Sequence, residues 1–73
     1  MAKHDVESEV TGNVWKVLKS VGDSVAEGEV IMILESMKME IPVEASEAGT
    51  LTQVLVEPDE QVEEDQVVAI IES

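Results

Sequence analysis

Slid against itself by 37 residues, this chain aligns residues 2–36 with residues 39–73 without a gap, and eleven of the pairs are identical. They include Gly12/Gly49, Val17/Val54, Leu18/Leu55, Val25/Val62, Val30/Val67 and Ile33/Ile70, and the match closes on Glu35/Glu72 and Ser36/Ser73. Composition alone would give roughly three or four identities, so the chain is two copies of one unit. A fold must therefore accept the same short pattern twice. If a two-fold axis relates the copies, the chain ends lie at the pole opposite Lys38, which leaves that residue free even in a fusion to a larger enzyme.

The pattern inside each copy is that of strands. Val6, Ser8 and Val10 share one face of a first short strand, and residues 14–19 make a second with Trp15 and Val17 on one side. Gly22-Asp23 and Ala26-Glu27-Gly28 read as turns, with Val25 plugging the core between them. Residues 30–35 form a nearly continuous apolar strand. Beyond it, Met39, Ile41, Val43 and Ala45 alternate with Glu40, Pro42, Glu44 and Ser46, apolar in and polar out. The second copy opens at Gly49, with strands near 50–57 and 66–72.

Asp59 and Asp65 stand where the first copy has Gly22 and Gly28; aspartate tolerates left-handed backbone better than most residues, so these turns are expected to survive at some cost. No segment keeps a 3.6-residue period, and Gln61 to Gln66 is long enough only for a brief coil. The physical conclusion is an all-β fold, a flattened barrel or sandwich of two antiparallel sheets with an internal pseudo-two-fold repeat.

Seventy-three residues predict a single domain spanning 1–73. With no cysteine, neither disulfides nor thiolate metal sites can hold it, so stability rests on a Val- and Ile-rich core. The longest apolar runs, Val30 to Leu34 and Val67 to Ile71, are far too short to span a bilayer, and the N-terminus lacks a signal-peptide apolar stretch. A cytoplasmic protein, monomeric in isolation, is expected. A net charge of −13 argues against nucleic acid or an anionic membrane as partner. It also favours approach to basic surfaces. Crowded carboxylates predict raised folded-state carboxyl pKa values and stabilisation by mild acid and by salt.

Chemistry is concentrated at Glu35-Ser36-Met37-Lys38-Met39-Glu40, between two apolar alternating runs. Most lysines are simply solvated. An ammonium between two methionines at a hairpin tip reads instead as a displayed amine. The turn is locally odd, because Ser36-Met37-Lys38-Met39 has none of the Gly, Asn or Pro that tight hairpins favour. Either the loop is wider than two residues, or Met37 and Lys38 hold an unfavourable backbone conformation.

With Gly12-Asn13-Val14-Trp15-Lys16-Val17, Val21-Gly22-Asp23, Gly28 and Gly49-Thr50-Leu51, this hexapeptide resembles the attachment signature of the biotinyl domain family, the carrier modules of biotin-dependent carboxylases. The likeness runs from about Val10 to Glu72. It implies covalent biotin on Lys38, with Met37 and Met39 as the flanks read by biotin protein ligase and by the biotin carboxylase and carboxyltransferase that exchange carboxylate with the ring. It implies a ring projected far from the domain, and a carrier that supplies no catalytic group. Glu35 is implied as a ligase contact, with a simple solvated strand residue as the alternative. The chain has no length to spare for the protruding thumb of some bacterial carriers, so a thumbless type is expected.

The remaining candidates are weak. His4 reads as part of a frayed tail, and the acidic run from Glu57 to Asp65 lacks the glycine and spacing of a calcium loop. No metal site is expected. Trp15 reads as a packed strand residue. With one His and no Cys, no nucleophilic triad can be assembled. Two rivals stay open: a lipoyl-type acyl carrier, which shares the fold but usually shows an Asp-Lys-Ala-type tip, and an unmodified acidic interaction module.

Overall fold

A computed structural model describes residues 2–73. Its strands are β1 (Lys3–Glu7), β2 (Gly12–Val17), β3 (Ser24–Val25), β4 (Val30–Ser36), β5 (Met39–Glu44), β6 (Gly49–Val54), β7 (Gln61–Val62) and β8 (Val67–Glu72), with no helix among the described residues. They form two four-stranded sheets, β1-β8-β6-β3 and β5-β4-β2-β7, and every pairing is antiparallel. In each sheet the inner two strands come from one copy of the repeat and the outer two from the other. Neither copy can complete a sheet alone, which is the physical reason the pattern occurs twice.

The core obeys the same symmetry. Val14 and Leu51, Val25 and Val62, Ile31 and Val68, Leu34 and Ile71, and Val6 and Val43 are buried pairs related by the repeat. Val25 plugs the core as expected and Val62 does the same in the second copy, each the inward residue of a two-residue strand, and full burial of such a side chain contributes about 1.5–3 kcal/mol. Ser8 is buried where the second copy has Ala45; its hydroxyl donates to the Val10 carbonyl at 2.6 Å, which offsets the cost of taking it out of water.

Several local expectations are corrected. The first strand begins at Lys3 rather than Val6, because the edge of β8 supplies partners from Lys3↔Glu72 to Glu7↔Val67. His4 is therefore no frayed tail: it pairs with Ile71, and its Nε2 lies 2.8 Å from Ser73 Oγ. The second strand ends at Val17, and a bulge between Val14 and Lys16 breaks its alternation. Trp15 falls at that bulge and is 41% exposed instead of packed. Gln61 and Val62 form a strand rather than a coil, pairing with Asn13 and Gly12.

The two Asp turns survive: Asp59 and Asp65 adopt φ of 71° and 70°, beside 99° and 83° at Gly22 and Gly28. Among the described residues no connection between strands exceeds six residues, and none protrudes as a thumb. The termini close the first sheet, Ala2 and Ser73 exchanging backbone hydrogen bonds of 2.9 Å, while Lys38 caps the β4–β5 hairpin of the second.

Candidate functional site

The hairpin register ends on Ser36↔Met39, which leaves Met37 and Lys38 as a two-residue turn. Their φ values are 52° and 66°. Positive φ at both central residues is the geometry of a type I′ turn, whose twist matches that of the strands it joins. For residues with a Cβ this conformation costs roughly 1–2 kcal/mol each. Of the two alternatives left open by the sequence, the strained tight turn is the one realised.

Strain projects the side chains. Met37 is 91% exposed and Met39 60%, the latter despite its inward position in the β5 alternation, because the strand has run past the core. Ile41, two residues further in, packs against the core and anchors the hairpin's base.

Two braces fix that base. Ser36 Oγ donates to the Thr11 carbonyl at 2.9 Å. Gly12 lies so close to β4 that a Cβ there would stand 2.7 Å from the Glu35 carbonyl oxygen and 3.2 Å from Ser36 Cβ. Thr11 in turn donates to Glu63 Oε2 at 3.2 Å and accepts from the Glu64 N–H at 3.3 Å, tying the hairpin to the turn after β7. Sequence reasoning missed these supports. The signal was present: Gly12 is a glycine in both copies, at Gly12 and Gly49, whereas Gly22 and Gly28 are not repeated, and a Cβ at Gly49 would likewise strike Glu72 and Ile71. A glycine kept where φ is unremarkable marks close approach of two backbones.

The four lysines are sorted by their settings. Lys16 Nζ lies 4.4 Å from the centroid of the Trp15 ring. Lys19 pairs with Glu29, and the hydrogen bond holds the Lys19 pKa above its ordinary value and, with the Ala26 N–H, the Glu29 carboxyl below its own. Lys3 sits within β1, opposite Glu72. Lys38 alone stands in a turn, on a flexible four-carbon stem flanked by apolar side chains. One rung below the Ser36↔Met39 pair, Glu35 and Glu40 face each other across the hairpin, an acidic collar under a basic tip. Glu35 is exposed and pairs with Asn13 on its other side.

Residues 4–71, nearly the whole chain, match the biotin/lipoyl family, described as biotin-requiring enzyme. The chain belongs to this family. A biotinylated protein TB7.3 homolog of Mycobacterium leprae is 40% identical over 67 residues, covering 92% of this chain and 94% of that protein. The dihydrolipoyllysine-residue succinyltransferase component of the 2-oxoglutarate dehydrogenase complex of Staphylococcus saprophyticus is also 40% identical, over 89% of this chain and 15% of its own length. Among solved structures, the urea carboxylase of Kluyveromyces lactis superposes with a TM-score of 0.92 and 35% identity, over 97% of this chain but only 6% of that one. Biotin/lipoyl membership thus carries the fold, while overall identity does not separate the two cofactors. The residues at the hairpin tip must do so.

Proposed function

We propose that this chain is a biotin carrier domain, a single unit over residues 1–73 in which Lys38 is joined to biotin through an amide. One observation carries the reading: Lys38 occupies a strained two-residue turn between two outward methionines, the most exposed of which is Met37. In attachment, Lys38 Nζ attacks the activated acyl carbon of biotin held by biotin protein ligase. A C–N bond forms, the acyl–oxygen bond breaks, and the leaving group departs with its electron pair. The ammonium gives up two protons in all, one before attack and one as the amide forms. Bound there, the ureido ring supplies the nitrogen that takes up carboxylate at a biotin carboxylase and yields it at a carboxyltransferase.

The chain's own residues do the rest. The turn lifts the amine beyond the acidic collar, so a partner's active site reaches it without clashing with the sheets. Met37 and Met39 offer soft, adaptable apolar contact to more than one partner. Tethering keeps the reactive ring at an effective concentration on the order of millimolar near both sites. The role we assign it is that of a carrier, with catalysis supplied by its partners. A cytoplasmic carrier of a biotin-dependent carboxylase, serving the enzyme either in one chain or as a separate subunit, fits this reading.

Intact mass and peptide mapping after expression with a biotin ligase, and separately with a lipoate ligase, test it. Biotin on Lys38 alone, lost in Lys38→Arg with the fold retained, is the expected result. Modification elsewhere, none at all, or preferential lipoylation would overturn it.

A further inference from the structure

A hollow of about 160 Å³ opens beside the attachment hairpin, lined by Asn13, Val14, Trp15, Glu35 and Asp59. We propose that it is a resting site for the ureido ring of biotin carried on Lys38, an inference that builds on the attachment reading above.

Chemical fit comes first. A cyclic urea presents two N–H donors and one carbonyl acceptor on a flat ring. The residues that line the hollow carry the matching groups: two carboxylates, Glu35 and Asp59, able to accept the N–H groups, an amide, Asn13, able to donate to the carbonyl, and the Trp15 indole as a flat apolar neighbour. Lys16 covers part of the indole, at 4.4 Å from its centroid, but is not among the lining residues, so the hollow meets Trp15 elsewhere.

Reach is the second argument. Glu35 and Leu34, the partners of Asn13 and Val14, lie one and two rungs below the Ser36↔Met39 rung that the turn closes. The hollow is thus roughly 7–10 Å from Lys38 along the strands. A lysine stem extended by a valeryl chain spans roughly 12–14 Å, enough to fold back and deliver the ring there.

The repeat provides an internal control. The positions equivalent to the lining are Thr50, Leu51, Thr52, Glu72 and Gly22. That set lacks the indole, the amide and one of the carboxylates. Thr52 occupies the same bulge as Trp15, between Leu51 and Gln53, and its hydroxyl donates to the Ile70 carbonyl at 3.2 Å. The bulge therefore has no need of an aromatic residue. A half-exposed indole appears only in the copy whose β4 leads into Lys38.

An open hollow binds weakly, but the ring is tethered. At an effective concentration on the order of millimolar, a contact of millimolar strength is about half formed, which lets the arm rest there and still leave for a partner. A dithiolane offers neither N–H nor carbonyl, so the ring of a lipoyl arm could make none of these hydrogen bonds.

Trp15 is the chain's only aromatic residue, which makes the test direct. The full chain is prepared with and without biotin, mass spectrometry first establishing modification at Lys38, and quenching of Trp15 emission by acrylamide is compared. Half-occupancy lowers the quenching constant by roughly a third to a half. Asp59→Asn, which keeps a residue tolerant of positive φ, should return it towards the unmodified value. By NMR, ring-current shifts of the ureido N–H protons should vanish in Trp15→Thr, a change the second copy already tolerates at Thr52. Equal quenching in the two forms, or ureido shifts indifferent to Trp15→Thr, would overturn the resting site while leaving biotin attachment intact. Absence of biotin on Lys38 would instead overturn the attachment reading itself.

Discussion

The two copies of the repeat adopt left-handed backbone at matching places: Gly22 and Asp59 are one pair, Gly28 and Asp65 the other. A conformation that recurs in both copies, whichever residue holds it, belongs to the fold. Met37 and Lys38 adopt it too, yet they are the two residues that fall between the copies, outside the repeat altogether. One backbone feature thus has two causes. At the four repeated positions it closes turns, and the residues there suit it. At the unrepeated pair the residues do not suit it, and the strain is what presents the amine. Internal symmetry separates strain that belongs to the repeated fold from strain confined to the hairpin tip.

The sharpest way to break this comparison is at the repeated close approaches. Gly49→Ala places a Cβ 2.5 Å from the Glu72 carbonyl oxygen and 2.9 Å from Ile71 Cγ2, and Gly12→Ala places one 2.7 Å from Glu35 O. Overpacking against backbone should cost about 2–3 kcal/mol at Gly49 and somewhat less at Gly12. Denaturant titration followed by Trp15 emission measures both. Near-neutral values would mean that the repeated glycines serve something other than backbone approach.

The tip should respond in the opposite sense. Replacing Met37-Lys38 by Asn-Gly gives a type I′ turn its favoured residues and should stabilise the fold by about 2 kcal/mol. Biotin uptake should disappear at the same time. Asp59→Gly or Asp65→Gly should gain only about 0.5 kcal/mol, since aspartate already tolerates the conformation and glycine loses more entropy on folding. If the tip substitution gained no more than these, strain would not distinguish the two kinds of turn.

Much of this was legible in the sequence. The alternation of Met39 to Ala45 and the paired core position Val25/Val62 point to two related β sheets, because burial on one face leaves a period of two. Trp15 was misplaced because a bulge adds a residue that no alternation rule registers. β1 was placed too late because its polar residues, Lys3, His4 and Asp5, are recruited by the free edge of β8, a partner distant in sequence. The hollow brings Asn13, Glu35 and Asp59 together from three separate stretches of chain, so spacing carried no trace of it.

Met37 and Met39 should matter to partners more than to the fold. Both are exposed, so Met→Ala at either position should change stability by no more than about 0.5 kcal/mol, while carboxylation of the attached biotin falls. Normal carboxylation kinetics in the double variant would remove their recognition role. A marked loss of stability at Met39 would instead show it bracing the hairpin.

The smallest expected effect contrasts one charged turn with its neutral counterpart. Glu29 Oε1 accepts the Ala26 N–H at 2.9 Å, and Gln66 Oε1 accepts the Glu63 N–H at the same distance in the second copy. Glu29→Gln should therefore keep the turn and lose only the pair with Lys19. The Glu29 carboxyl is held below its ordinary value of 4.5, chiefly by Lys19. A depressed carboxyl pKa stabilises the fold above the unfolded pKa, and that contribution is lost as pH falls through the folded one. Lys19, raised from 10.5, contributes below its unfolded pKa and loses that contribution as pH rises through its folded value. The thermal midpoint of the native chain should thus exceed that of Glu29→Gln by a constant margin from about pH 5 to 9, narrowing on either side. The margin is small because solvent screens an exposed pair. The two proteins share the other sixteen Asp and Glu side chains, so any titration of those is common to both. Because both proteins share that background, their difference isolates the pair, and a margin that widened below pH 4 would reverse the assigned direction of the Glu29 shift.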